Sequence, residues 1–169
     1  MSADRSKISR SKPLYTAGQR AARDASPWTL VQGLLAPLQF LVFLVSLGLV
    51  IRFLATGDGE TTATVSVVVK TLVLYTIMVT GAIWEKVVFG RYLFADAFFW
   101  EDVFSMLVLT LHTAYLVALG LDALGAQGRA LLALAAYATY VINATQFILK
   151  LRAARLQAAA PLLTAEASL

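Results

Sequence analysis

The chain of 169 residues has no cysteine, a single histidine (His112), four prolines and only 14% charged residues. Without cysteine there is no disulfide framework, no thiolate-held zinc or iron–sulfur cluster and no thiol nucleophile. One imidazole cannot provide a bis-histidine haem or a two-histidine metal site within one copy. The shortage of charge, set beside 59% hydrophobic residues, excludes disorder for most of the chain. Soluble domains run at about 45–50% apolar and about 25% charged, well away from this balance. With a mean hydropathy of +0.74, the composition describes an integral membrane protein.

The gaps between charges define the spans, since a crossing helix needs about 20 mostly apolar residues. No charge occurs between Asp24 and Arg52, and Thr61 to Trp84 carries only Lys70. A third apolar stretch follows Glu101-Asp102, and a fourth lies between Arg129 and Lys150. The sequence therefore predicts an all-α integral membrane protein, a four-transmembrane-helix up-down bundle with helices at about 28–52, 63–87, 99–121 and 129–151. Residues 1–27 form an N-terminal tail in which Thr16 to Asp24 could make a short interfacial helix. Residues 152–169 form a C-terminal tail, frayed in its Ala-rich part around Pro161. Eleven Lys and Arg residues fall on the face shared by the termini and the middle loop, and three on the other. That asymmetry puts both termini in the cytoplasm. It also makes the net charge of +4 a matter of topology and anionic lipid, not of nucleic acid.

Polar side chains at membrane depth are costly unless they face a partner or a cavity. At 100° per residue each helix shows one polar stripe. Gln32, Gln39 and Ser46 share a face in the first helix, beside Pro37, which is expected to kink it. Thr71, Met78 and Glu85 do so in the second. Glu101, Ser105 and His112 do so in the third, with Asp102 a step aside, and Thr139, Asn143, Gln146 and Lys150 in the fourth. With alternating helix directions, the carboxyl groups gather near the cytoplasmic surface. His112 lies about 16 Å deeper than Glu101. The expected geometry is a polar pocket opening to the cytoplasm, with carboxylates at its mouth and an imidazole at its floor. Plainer roles compete: solvated charges at helix ends, acidic residues at the positive end of a helix dipole, amides joining helices. Lys70 is expected to snorkel to the periplasmic surface. The aromatic run Phe94 to Trp100 reads as an interfacial belt or as a lip for a large flat ligand.

Longer strings carry a resemblance. Trp28-Thr29-Leu30-Val31-Gln32-Gly33 with Ala36-Pro37-Leu38-Gln39-Phe40 resembles the first helix of the vinyl bacteriochlorophyllide hydratase family of phototrophic bacteria. Lys70 to Thr76, Gly81 to Gly90, Phe98 to Ser105, His112 to Tyr115 and Ala136 to Asn143 are similar to the same family, in the same order. The resemblance runs from about Pro13 to Arg155.

What it implies is a hydro-lyase of bacteriochlorophyll a synthesis that adds water to the C3-vinyl group of a chlorophyllide or bacteriochlorophyllide, giving a 3-(1-hydroxyethyl) product. It implies no added cofactor, because the magnesium arrives inside the substrate. It also implies a multi-pass protein of the bacterial inner or intracytoplasmic photosynthetic membrane, whose partners are the pigment, the bilayer and other enzymes of the pathway. Such chemistry asks for an acid to protonate the vinyl CH2 and a base to take a proton from water. Glu85, Glu101 and Asp102 are the candidates, with Glu101 favoured because it shares a face with Ser105 and His112. His112 could be the acid or an axial ligand to the substrate magnesium. Gln39, Asn143 or Gln146 could hold the water. Met78 and Ser105 lie along the same stripes, and Lys86, Arg91 or Lys150 could meet the carboxylate edge of the unphytylated ring. A non-enzymatic tetrapyrrole carrier or photosystem assembly factor would need the pocket without the carboxyl groups. A small transporter finds no support in broken-helix repeats or a charged pore stripe.

Overall fold

The computed structural model describes residues 14–166, with side chains described through residue 156. The basic stretch expected to be a loose tail, including Lys12 and Pro13, lies outside the described residues, as do the last three positions. Five helices follow in order: α1 (Ala17–Ala25), α2 (Pro27–Thr56), α3 (Glu60–Phe89), α4 (Phe99–Gly120) and α5 (Gly125–Glu166). There is no strand among the described residues. Four of the helices are long and apolar enough to cross a membrane.

Local chemistry explains the boundaries. Thr16 and Gln19 cap α1 reciprocally: the Thr16 hydroxyl accepts the Gln19 N–H at 3.3 Å, and the Gln19 side chain accepts the Thr16 N–H at 2.9 Å. Ser26 caps α2, with Pro27 in the first turn, where a missing N–H costs nothing. The turn from α2 to α3 is only Gly57-Asp58-Gly59. Both glycines have positive φ (78° and 86°), a region that penalises a side chain. Glu101 and Asp102 occupy the first turn of α4, favourable at the positive end of its dipole. The expected frayed tail is instead a continuation of α5 as far as Glu166. Pro37 sits inside α2 on an exposed face.

The bundle consists of two hairpins, α2–α3 and α4–α5, each packed along much of its length. The hairpins meet through α2 against α5 and, more thinly, through α3 against α4 and α5. The core contains Phe43, Val50, Val67, Leu74, Val108 and Tyr137. Small residues let α5 approach closely: Ala133 and Ala136 are 1% and 0% exposed. Outside, α2 presents Leu30, Leu34, Leu38, Leu41 and Val45 to its surroundings. A protein exposing such faces to water would aggregate, whereas lipid solvates them. At the end of the bundle that carries the termini, Tyr15 stacks on Phe89 with ring centroids 5.7 Å apart. Trp84, Phe98 and Phe147 complete that aromatic cluster. The Trp84 indole N–H donates to Thr29 Oγ1 at 2.9 Å, and the same hydroxyl donates to the Arg23 carbonyl at 2.6 Å. One threonine thus joins α1, α2 and α3. At the opposite end buried Arg129 reaches Asp122 at 3.0 Å and Glu60 at 3.4 Å.

The α5 packing gives a direct contrast. Ala136→Leu overfills a closed contact and is expected to cost about 1–3 kcal/mol. Ala135→Leu, on the exposed side of the same turn, should be near neutral. Thermal unfolding of the two purified variants in detergent checks this, and equal midpoints would contradict the packing described.

Candidate active site

The polar stripes read from the sequence do turn inward. Gln39, Ser46, Thr71, Glu85, Glu101, Asp102, Ser105, His112 and Asn143 are all buried, while Gln32, Met78, Thr139, Gln146 and Lys150 are half-buried. They arrange themselves in tiers along the bundle axis.

The first tier, at the termini end, holds three carboxyl groups. Glu85 (α3) and Asp102 (α4) are both buried and are gathered by consecutive backbone N–H groups of the connection between their helices. Two anions buried side by side there would repel strongly, which favours a proton on one of them. The connection between α3 and α4 supplies backbone donors. The Phe94 N–H reaches Asp102 Oδ2 at 2.7 Å, and the Ala95 N–H reaches Glu85 Oε2 at 3.4 Å. To aim these two N–H groups, Phe94 adopts φ 58°. This left-handed conformation costs a side-chain-bearing residue about 1–2 kcal/mol. Glu101, the acid favoured from the sequence, is instead held by Lys150, whose Nζ donates to Oε2 at 2.5 Å. Neither Glu85 nor Asp102 has such an ion pair among the described residues. Helix-end solvation does not describe these residues, since Glu85 and Asp102 are 5% and 3% exposed.

The second tier holds amides. Asn143 donates to Ser105 Oγ at 2.8 Å across α5 and α4. Gln39 lies one turn from Phe43, and Phe43 packs on Tyr140 with ring centroids 4.9 Å apart. Asn143 is one turn from Tyr140 in the same direction, so Gln39 and Asn143 occupy the same level of the α2–α5 interface. Three buried acceptor oxygens have no donor among the described residues: Gln39 Oε1, Asn143 Oδ1 and Gln146 Oε1. Unsatisfied buried acceptors are uncommon and mark places where water or a ligand hydroxyl belongs.

The third tier joins all four long helices. Here the expectation for Lys70 is overturned. It does not snorkel; it is 0% exposed, with Nζ 2.8 Å from His112 Nε2 and 4.2 Å from the centre of the Tyr140 ring. Its alkyl stem is directed inward because Lys70 lies on the buried ladder Ala63, Val67, Leu74, spaced by four, three and four residues. The remaining ring nitrogen of His112, Nδ1, faces the Val108 carbonyl at 2.8 Å. Both imidazole nitrogens are therefore engaged, and neither is free for a magnesium ion in this arrangement. Beside them a directed chain runs from Tyr137. Ser66 donates to the Ala63 carbonyl, which orders the others: the Tyr137 hydroxyl donates to Ser46 at 2.6 Å, and Ser46 to Ser66 at 2.7 Å.

The remaining expected contacts lie elsewhere. Lys86 is exposed, donating to the Gly90 carbonyl at 2.9 Å and lying 5.4 Å from the Tyr92 ring. Arg91 pairs with Asp96 at 3.6 Å. The run from Phe94 to Trp100 divides its roles: Phe98 is 1% exposed inside the aromatic cluster, whereas Trp100 is 67% exposed. An open apolar groove of about 590 Å³ on α4 is lined by Leu109, Thr113, Val117 and Leu121 among others, and by none of the candidate residues.

Set against known proteins, this arrangement has a family. A family model described as 2-vinyl bacteriochlorophyllide hydratase matches residues 15–153. The chain belongs to the 2-vinyl bacteriochlorophyllide hydratase family. The protein of that name from Rhodobacter capsulatus is 69% identical over 148 residues, covering 88% of this chain and 86% of its own. That of Cereibacter sphaeroides is 68% identical over 146 residues, covering 85% of this chain and 89% of its own. No solved structure matches. The part of the chain matched by the hydratase family model contains all three tiers and Tyr15, so nothing in the polar interior falls outside the family region. Sequence reasoning missed Lys70, Tyr137 and Ser66. The signal for Lys70 was present in its spacing from Val67 and Leu74.

The Glu101–Lys150 pair can be tested as a unit. Glu101→Gln or Lys150→Met alone leaves a buried or half-buried partner unmatched and is expected to cost about 1–3 kcal/mol. The double variant should cost less than the two single changes combined. Strict additivity in thermal unfolding would show the two groups to be uncoupled.

Proposed function

We propose that the chain is a hydro-lyase acting on a tetrapyrrole vinyl group, adding water to 3-vinyl chlorophyllide or bacteriochlorophyllide (the 2-vinyl group of the older ring numbering) to give the 3-(1-hydroxyethyl) product. The observation that carries this reading is the buried pair of neighbouring carboxyl groups, Glu85 and Asp102, in a chain 69% identical to a curated hydratase. The carboxyl pair gives its proton to the terminal CH2, which becomes CH3. The positive charge then rests on the inner carbon and spreads into the conjugated ring. Water attacks that carbon, and its surplus proton returns to the pair, which as two neighbouring anions takes one back readily. Alkene and water balance the product, so the reaction calls for no redox or group-transfer cofactor. The magnesium belongs to the substrate.

The amide tier supports the other half of the step. A water that donates both hydrogens to unpartnered oxygens of Gln39, Asn143 or Gln146 turns its lone pairs away from them, toward the cation. Ser105, already accepting from Asn143, fixes that amide. Met78, half-buried on the α3 stripe, offers a soft apolar surface beside the ring. His112 is assigned no proton transfer here, because its partners are Lys70 and Val108. The charge asymmetry of the sequence supports a bacterial inner-membrane location with both termini cytoplasmic, so that the carboxyl tier lies near the cytoplasmic surface.

Membranes of a non-photosynthetic host making the chain, given 3-vinyl chlorophyllide a, should yield a pigment heavier by one water, absent from control membranes. Glu85→Gln and Asp102→Asn should each lower that rate by about 10²- to 10⁴-fold while pigment still co-purifies. The protonated-carboxyl infrared band should weaken in both. Full activity in either variant would remove the pair from the mechanism.

A further inference from the structure

Lys70 is the group left without a task in this scheme. It is wholly buried, and no carboxylate lies against it among the described residues. The other buried cation, Arg129, has two. Lys70 Nζ has His112 on one side and the faces of Tyr140 and Tyr137 at 4.2 and 5.7 Å on another. His112 cannot be its counter-ion: with Nδ1 directed to the Val108 carbonyl, the neutral ring offers only the Nε2 lone pair. A lysine head group carries more N–H bonds than this single acceptor takes up.

Resting on the hydratase reading, we propose that Lys70 is the specificity-determining residue that takes the free propionate carboxylate of the unesterified tetrapyrrole. Three observations carry this. Lys70 and His112 flank the α3–α4 seam, one of the two thin contacts between the hairpins, bridged near that depth by the exposed Tyr75–Thr113 hydroxyl pair at 2.8 Å. His112 lies eleven residues along α4 from Glu101, so the two tiers are about 16 Å apart. A macrocycle whose vinyl group meets the carboxyl tier presents its carboxylate a ring's breadth away, toward this tier or toward the surface. On the surface side, Lys150 is bound to Glu101 and Arg91 to Asp96, while Lys86 is turned to Gly90. Of the two buried basic side chains among the described residues, Lys70 and Arg129, the one that lacks an anion is Lys70, the deep one. A carboxylate arriving beside Lys70 completes a charge-assisted hydrogen bond in a dry setting. An esterified substrate leaves the buried N–H groups unmatched, the kind of loss by which a polar site rejects an analogue.

The test compares 3-vinyl chlorophyllide a with its methyl ester on the full-length protein in membranes. The wild type should prefer the free acid in kcat/KM by about 10- to 100-fold. Lys70→Met should bring that ratio close to one by raising KM for the acid, leaving kcat on the ester within about threefold. Lys70→Arg should keep part of the preference. A merely structural lysine would lower activity on both substrates alike and leave the ratio as it was, which overturns the proposal. So does a wild type indifferent to esterification. Should Lys70→Met not assemble, the double variant Lys86→Met/Arg91→Met decides: an intact preference supports the deep site, and a collapsed one places the carboxylate at the surface. Absence of hydration on both substrates would count against the hydratase reading itself. Hydration of both at one rate would count against Lys70 alone.

Discussion

A hydrogen-bonding group inside a bilayer has no water to fall back on, so whatever partners it needs must come from the protein. That constraint organises this bundle more than the apolar packing does. Apolar faces gain little by leaving lipid for one another, whereas Ser46, Gln39, Lys70, His112 and Asn143 can be satisfied only by facing inward together. The chain from Tyr137 through Ser46 and Ser66 to the Ala63 carbonyl crosses three helices, and Lys70 with His112 brings in the fourth. Registry follows from these bonds. A slip of one residue in α5 would rotate Tyr137 and Asn143 away from their partners by about 100°.

The two ends of this polar interior differ in how completely they are satisfied. In the deep tier the Tyr137, Ser46 and Ser66 hydroxyls each donate to a named acceptor, as expected of a structural network, while Lys70 beside them keeps N–H groups to spare. In the amide tier three acceptors have no donor among the described residues, and in the carboxyl tier two buried acids lie together under a strained loop. Strain at Phe94 persists only because surrounding contacts outweigh it, and these are at hand. Ala95 and Phe98 are almost completely buried, and Tyr15 and Trp84 close over them. The aromatic cluster is therefore the support that lets the backbone between α3 and α4 point two N–H groups at the acids.

Much of this was legible in the sequence, for identifiable reasons. The spans were readable because lipid tolerates so few charges, and the inward stripes because helical periodicity applies to Gln39, Ser105 or Asn143 whatever lies around them. The reading failed where the outcome depended on which helix faced which. Glu101 shares a face with His112, but its partner is Lys150 from α5, and no single-helix argument contains that pairing. Lys70 was assigned to the surface by a rule about lysines near helix ends, when its place on the Val67–Leu74 ladder already pointed inward. The backbone donors of Phe94 and Ala95 left no trace at all, because an N–H group is the same in every residue. The continuation of α5 past Arg155 reflects alanine's high helix propensity, which outweighed the composition of a tail.

A closed bundle and a broad flat substrate are in tension, and the distribution of contacts indicates how it is resolved. Opening either hairpin would break the Gln32–Thr80 bond or the bonds of Asn143 and Lys150, all of them buried or half-buried. Parting α3 from α4 at the seam disturbs the exposed Tyr75–Thr113 bond first, and lipid-facing hydroxyls such as Thr113 retain their bonds to their own helix. The Glu85–Asp102 pair and the Lys70–His112 pair both straddle that same seam, one near each end of it. A ring sliding between α3 and α4 would therefore meet an acid and a cation at the two places where the helices are already held by groups able to exchange one partner for another. This thinly packed seam is also the one along which these buried polar side chains are arranged.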